Sequence, residues 1–118
     1  MKIVIPSRGR AGVIGAKALR LFPDAVVCVA SDEADRYAAV TGNLLTHPPE
    51  VTGIGRLRQW ILDNVADPTV VMVDDDVRYI VSQVGFHARR FDDPDSARAI
   101  VERLAILAED AGARVFGR

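Results

Sequence analysis

Apolar positions along the chain gather into short β-branched runs, and amphipathic stretches separate the runs. Lys2 to Pro6 predicts a strand, followed by the polar loop Ser7-Arg8-Gly9-Arg10-Ala11-Gly12. Val13 to Phe22 has helical spacing and ends at Pro23. Ala25 to Ala30 predicts a second buried strand. Ser31 after it suits a helix N-cap, with Asp32 and Glu33 in the first turn, where the helix dipole favours negative charge. Asn43 to Thr46 predicts a third strand, and His47-Pro48-Pro49-Glu50 a loop. A helix is expected over Ile54 to Val65, with Leu57, Trp60, Ile61 and Leu62 on one side, and a fourth strand over Thr69 to Val73.

Beyond this point the pattern loosens. Val77 to Val84 reads as a strand, and Gly85 to Asp92 as loop or sheet edge. A helix then starts with Asp93 as N-cap and Pro94 at its first position. Its apolar positions are Ile100, Val101, Leu104, Leu107 and Ala108, Gly112 stops it, and Ala113 to Phe116 begins a further strand. Strands apolar on both faces, alternating with helices, predict the α/β class: a mostly parallel, open, Rossmann-like sheet with flanking helices.

Composition narrows the class. A chain of 118 residues is expected to form one domain over 1–118. Its formal net charge of -1 provides no global basic field for nucleic acid, although arginines cluster at Arg8/Arg10, Arg56/Arg58 and Arg89/Arg90. The single cysteine, Cys28, lies in an apolar run and reads as a buried small hydrophobe. With no internal disulfide, no signal-peptide pattern and no apolar stretch near the roughly 20 residues of a bilayer span, the expectation is a cytoplasmic protein without membrane contact.

The strongest chemical signal is Asp74-Asp75-Asp76, directly after Thr69 to Val73. Three carboxylates at one strand end repel each other, and a hard divalent cation is the usual compensation. An acidic turn capping the next element is the other reading. Ligands also bind outside the carboxyl ends of strands in open parallel sheets. Ser7-Arg8-Gly9-Arg10 supplies a hydroxyl, two guanidiniums and backbone N–H groups freed by glycine, a set suited to phosphate or a nucleotide base, or to an ordinary solvated loop. The loop matches neither a Walker A sequence nor GxGxxG spacing. Ser31-Asp32 suits a base or ribose as well as a helix start. Arg56 and Arg58 stand at a helix N-terminus, where the dipole disfavours cations; either an anion joins them there or they pair with Glu50 or Asp63. His47 and His87 lack metal-pair spacing and read as surface loop residues, and Asp92, Asp93 and Asp95 read as capping groups. No Gly-x-Ser-x-Gly elbow occurs and Cys28 has no evident histidine partner, which argues against acyl transfer.

In order and spacing, Ile3-Val4-Ile5-Pro6-Ser7-Arg8-Gly9-Arg10, the strand ending at Ser31-Asp32, Gly55-Arg56-Leu57-Arg58-Gln59, and Val71-Met72-Val73-Asp74-Asp75-Asp76-Val77 resemble the nucleotide-binding half of GT-A-fold glycosyltransferases. The opening Pro-Ser-Arg-Gly-Arg and the Asp-Asp-Asp-Val strand end look most like the small phage and bacterial branch of TET-associated glycosyltransferases. The resemblance implies a nucleotide-diphosphate sugar donor, UDP-sugar favoured, with Mn²⁺ or Mg²⁺, and modified pyrimidines of DNA as acceptor. It implies Asp76 as metal ligand, Asp74 as a second metal or ribose contact, and Asp75 in donor binding. Ser7, Arg8, Ser31 and Asp32 would line the base and ribose pocket, and Arg58, backed by Arg56, would face the diphosphate or sugar. The likeness reaches the donor half alone, so an acceptor half is expected to be missing and no catalytic base is assigned. Two other readings stand beside it. One is a nucleotidyltransferase, disfavoured because Lys17 falls in a helix; the other is a non-catalytic nucleotide-sugar module or a homo-oligomer built on an unfinished sheet edge.

Overall fold

A computed structural model describes residues 1–112, the side chains of Ser82 and Val84 apart; the strand expected over Ala113 to Phe116 lies outside the described residues. Four strands form a parallel sheet: β1 (Lys2–Pro6), β2 (Val26–Ala30), β3 (Leu44–His47) and β4 (Val70–Met72). Their order across the sheet is β3-β2-β1-β4. The chain therefore steps outward from β1 through β2 to β3, then returns to the other side of β1. The order reverses between β1 and β4, which makes the carboxyl ends of these two strands the topological switch point.

Period-2 alternation sends alternate side chains of β1 and β2 to opposite faces. Ile3, Ile5, Val27 and Val29 pack with Leu19 and Leu21 of α1 (Ala18–Leu21), Tyr37 of α2 (Ala34–Ala38), and Ala97 and Val101 of α4 (Pro94–Asp110). Val4 and Cys28 pack on the other face against Ile61 of α3 (Ile54–Asn64), with Leu57, Trp60 and Met72 around them. Helices on both faces explain why these strands are apolar throughout. Burial pushes the Cys28 thiol up to about 11, so it is an inert core group.

The α/β expectation holds, with local corrections. The helix predicted over Val13 to Phe22 is a 3-10 turn at Ile14–Ala16 followed by the single-turn α1. Lys17 between them has φ -121° and ψ -108°, outside helical space, and Gly15 in the first turn weakens helix propagation. Ser31 does not cap: it is the first residue of a 3-10 turn, Ser31–Glu33, that runs into α2, and Ala30 before it has no side-chain cap. His47 is the last residue of β3 and 6% exposed, not a surface loop residue. It is held edge-on to Trp60, ring centroids 5.9 Å apart, and its Nδ1 lies 2.8 Å from the Pro48 carbonyl. Because that carbonyl can only accept, Nδ1 carries the proton. Leu62, Leu104 and Leu107, expected on buried faces, are each about half exposed.

The largest departure is at residues 80–91. Ile80–Val84 (β5) and His87–Phe91 (β6) pair antiparallel as a separate two-stranded hairpin, where the sequence predicts a strand over Val77 to Val84 followed by a loop or sheet edge. Gly85, at φ +60°, occupies the tight turn between them.

The α4 start is as predicted: Asp93 accepts from the Ser96 backbone N–H at 2.9 Å, and Pro94 opens the helix. That hydrogen bond holds the Asp93 carboxyl below its ordinary value. The Thr69 backbone N–H does the same for Asp67, aided by the N-terminal ammonium at 3.4 Å. Both folded values are depressed, so both groups contribute stability above the unfolded aspartate value, about 3.9, and lose it as pH falls through the folded values. Thermal midpoints measured from pH 7 down to pH 3 are expected to fall most steeply below about pH 4. Asp93→Asn keeps the cap and flattens part of that decline; an unchanged pH profile in Asp93→Asn contradicts the assignment. Among the described residues, no helix is long and apolar enough to cross a membrane.

Candidate functional site

The loops after β1 and β4 face each other at the switch point and form one side of an open cleft of about 700 Å³. At its floor is a hydrogen-bonded network. Ser7, 5% exposed, donates from Oγ to Asp75 Oδ2 at 2.8 Å, and its Oγ lies 2.7 Å from the Tyr37 hydroxyl. Because the Ser7 proton goes to Asp75, Tyr37 donates to Ser7. The Tyr37 oxygen in turn accepts the Arg10 backbone N–H at 3.0 Å. Arg10 Nη1 reaches Asp75 Oδ1 at 3.0 Å and lies 3.7 Å from Asp76 Oδ2. The loop turns at Gly9, φ +66°, whose N–H donates to Glu33 Oε1 at 2.8 Å. Every bond joins residues distant in sequence, so the loop is fixed by tertiary contacts.

The three aspartates are not equivalent. Asp75 points inward, its side chain 14% exposed and both oxygens engaged. Asp74 and Asp76 face the solvent of the cleft, 72% and 55% exposed. Arg58 of α3 stands 4.0 Å from Asp74, which ties the third helix to the site. Both partners are more than half exposed, so this pair is worth little and leaves Arg58 easily redirected to a ligand.

Of the residues singled out from sequence, Ser7, Arg8, Asp32, Asp74, Asp75 and Asp76 line the cleft, and Arg58 reaches it through Asp74. Ser31 is exposed and is not among the lining residues. Arg56 borders a separate shallow depression with Glu50, Gln59 and Asp63. Three residues with close contacts here had no assigned role: Arg10, Tyr37 and His47. Arg10 carried a visible signal as the second guanidinium of its loop. Tyr37 carried none, since the contact spans 30 residues.

Charge decides what the cleft can hold. Among the lining residues, five carboxylates (Asp32, Glu33, Asp74, Asp75, Asp76) face three guanidiniums (Arg8, Arg10, Arg36), a formal -2, and Arg58 beside Asp74 leaves the site still acidic at -1. A diphosphate alone would meet net repulsion, whereas a diphosphate accompanied by a divalent cation would not. The donor set is all hard oxygen, the type that Mg²⁺ and Mn²⁺ take. Among the described residues no group of three or more candidate ligands is pre-assembled. A cation here would therefore take one or two carboxylates and complete its shell from phosphate and water.

A family model described as TET-associated glycosyltransferase matches residues 1–108. The chain belongs to that family. Its class of reaction is accordingly sugar transfer from a donor to an acceptor. No curated protein and no solved structure is found to be similar to it. For a TET-associated glycosyltransferase, the arginine loop and the aspartate triplet at the switch point are where a donor would be sought. Glu109, in the last turn of α4, accepts from the Thr69 hydroxyl. Thr69 lies just before β4, at the opposite end of that strand from the cleft, so Glu109 is no candidate for a catalytic base there.

Proposed function

We propose that this TET-associated glycosyltransferase binds a nucleotide-diphosphate sugar, a UDP-sugar in the first instance, with Mn²⁺ or Mg²⁺ at the β1/β4 switch point, and that residues 1–118 are the donor-binding half of a GT-A-type enzyme. The observation that carries this reading is the meeting of the Ser7–Arg10 loop and the Asp74–Asp76 triplet in one cleft whose net acidic charge calls for a cation alongside a diphosphate. Asp76, with Asp74, would hold the metal. A metal held there would offset the charge that develops on the departing diphosphate.

The chain's own residues then have distinct tasks. Asp75 fixes Arg10 and Ser7, so the loop keeps its shape before ligand arrives. Arg8 and Asp32 flank the cleft where the base and ribose would lie. Arg58 exchanges Asp74 for a phosphate or sugar oxygen, a contact that a guanidinium makes with defined geometry. The proposed acceptor is a hydroxymethylated pyrimidine in DNA. The test is release of UDP from UDP-glucose and Mn²⁺, with and without duplex carrying 5-hydroxymethylcytosine. Modification-dependent release supports the reading. Metal-dependent UDP binding with no release on any acceptor favours a non-catalytic donor-binding module instead.

A further inference from the structure

The β5–β6 hairpin is chemically unlike the rest of the chain. Residues 77–91 contain Arg78, Arg89 and Arg90 and no Asp or Glu, a formal +3 in a chain of net -1, so the remainder carries -4 (-1 minus 3). The hairpin joins no strand of the parallel sheet. Its root is anchored: Val77 and Ile80 pack on the core, and Arg20 of α1 donates to the carbonyls of Arg78 at 3.3 Å and Asp92 at 3.1 Å. That adds a fourth guanidinium at the root. Val81, Gln83 and residues 85–90 are exposed, Phe86 at the turn fully so.

Its aromatic groups are arranged with its cations. The Arg90 guanidinium lies over the Tyr79 ring at 4.1 Å from the centroid, and Arg89 lies 4.9 Å from that of Phe91. In the register, Arg89 is opposite Ser82 and Arg90 opposite Val81, so the two arginines lie on opposite faces of the ribbon. Among the described residues, the one carboxylate within 4.0 Å of either is Asp92, 3.9 Å from Arg90 in a pair more than half exposed on both sides, while Asp93 lies near enough to feel the Arg89 charge. An isolated two-stranded ribbon is marginal in water, and a solvated phenylalanine adds nothing to it. Exposed arginines on both faces, an unpaired aromatic tip and no acid within the segment fit a polyanion with stackable faces.

We infer that the β5–β6 hairpin is a nucleic-acid contact surface, with Arg89 and Arg90 on backbone phosphates and Phe86 against bases. A two-stranded ribbon fits the major groove of a duplex, and an aromatic tip suits stacking on an unpaired or displaced base. Ile80 follows Asp76 by four residues, a span of at most about 14 Å, so nucleic acid on the hairpin would lie beside the aspartate triplet. The inference stands on the charge and exposure of the hairpin; it rests on the proposed transfer reaction only for the purpose of the binding.

Fluorescence anisotropy with a labelled 20-base-pair duplex and the matching single strand, across a salt titration, tests it. Wild type is expected to bind with log affinity falling linearly in log salt. The Arg89→Ala/Arg90→Ala variant should bind at least 10-fold more weakly, with a duplex slope shallower by about 1.8 (two phosphates at about 0.9 each). Phe86→Ala should weaken single-strand binding about 10-fold while keeping the slope. A UDP/Mn²⁺ thermal shift retained in both variants shows that the fold and the donor cleft are intact. With that shift present, unchanged nucleic-acid binding in the variants overturns the hairpin inference and leaves the donor reading standing. Equal binding to anionic phosphatidylserine vesicles also overturns it, marking the hairpin as a general anionic-surface patch. Hairpin-dependent binding without any UDP shift supports the hairpin and counts against the donor reading.

Discussion

Replacing Tyr37 with alanine is expected to remove about 3–5 kcal/mol of stability, a large fraction of the 5–15 kcal/mol typical of a whole domain. Tyr37 is wholly buried, and its ring fills the core between α2 and the sheet. Its hydroxyl ties the Ser7 side chain to the Arg10 backbone. Tyr37→Phe separates these roles. The ring stays, but the Arg10 N–H loses its acceptor and Ser7 Oγ loses a partner, for an expected cost of about 1–3 kcal/mol. Urea unfolding should show both midpoints falling at constant slope, with alanine well below phenylalanine. A phenylalanine variant within about 0.5 kcal/mol of wild type, the usual range for a neutral surface change, would show that the hydroxyl network does not hold the loop.

The second large effect separates two neighbouring aspartates. Asp75→Ala breaks an exposed charge-assisted bond to Arg10 and a partly buried one from Ser7, so the ligand-free protein should lose about 1–3 kcal/mol. Asp76 is 55% exposed with one partner at 3.7 Å. Its alanine variant should therefore keep ligand-free stability within about 0.5 kcal/mol and lose the metal-dependent response to nucleotide. Thermal unfolding of each variant, bare and with UDP plus Mn²⁺, gives both quantities. If Asp76→Ala destabilises the bare protein as much as Asp75→Ala does, the division into an inner structural and an outer ligand-facing carboxylate is wrong.

The inner strands were legible because strands covered on both faces must be apolar throughout, and Lys2–Pro6, Val26–Ala30 and the run before Asp74 have that composition; their order, and with it the switch point, was not. The aspartate triplet and the arginine loop stood out in the sequence because charged groups crowd there directly after apolar strands. The hairpin was hidden. His87-Ala88-Arg89-Arg90-Phe91 has no period-2 apolar alternation, and its strand character comes from pairing with β5. His47 was misplaced because the prolines after it mark a loop, while the Trp60 ring that covers it comes from a helix begun seven residues later. Leu62, Leu104 and Leu107 fit helical periodicity, yet periodicity identifies an apolar face without saying what covers it. The inward turn of Asp75, against its two outward neighbours, depends on Ser7 and Arg10 across 65 or more residues, and no local pattern encodes it.

The central claim is a metal–nucleotide site at the β1/β4 switch point, and thermal unfolding tests it most directly. Wild type and Asp76→Ala are each heated bare, with UDP, with Mn²⁺, and with both. At about 100 times the dissociation constant, the pair of ligands should stabilise wild type by about 2.7 kcal/mol, a shift of several degrees. The shift should require both components and vanish in Asp76→Ala. An equal shift in Asp76→Ala, a shift with UDP that ignores the metal, or no shift with any of the common nucleoside diphosphates would contradict the claim.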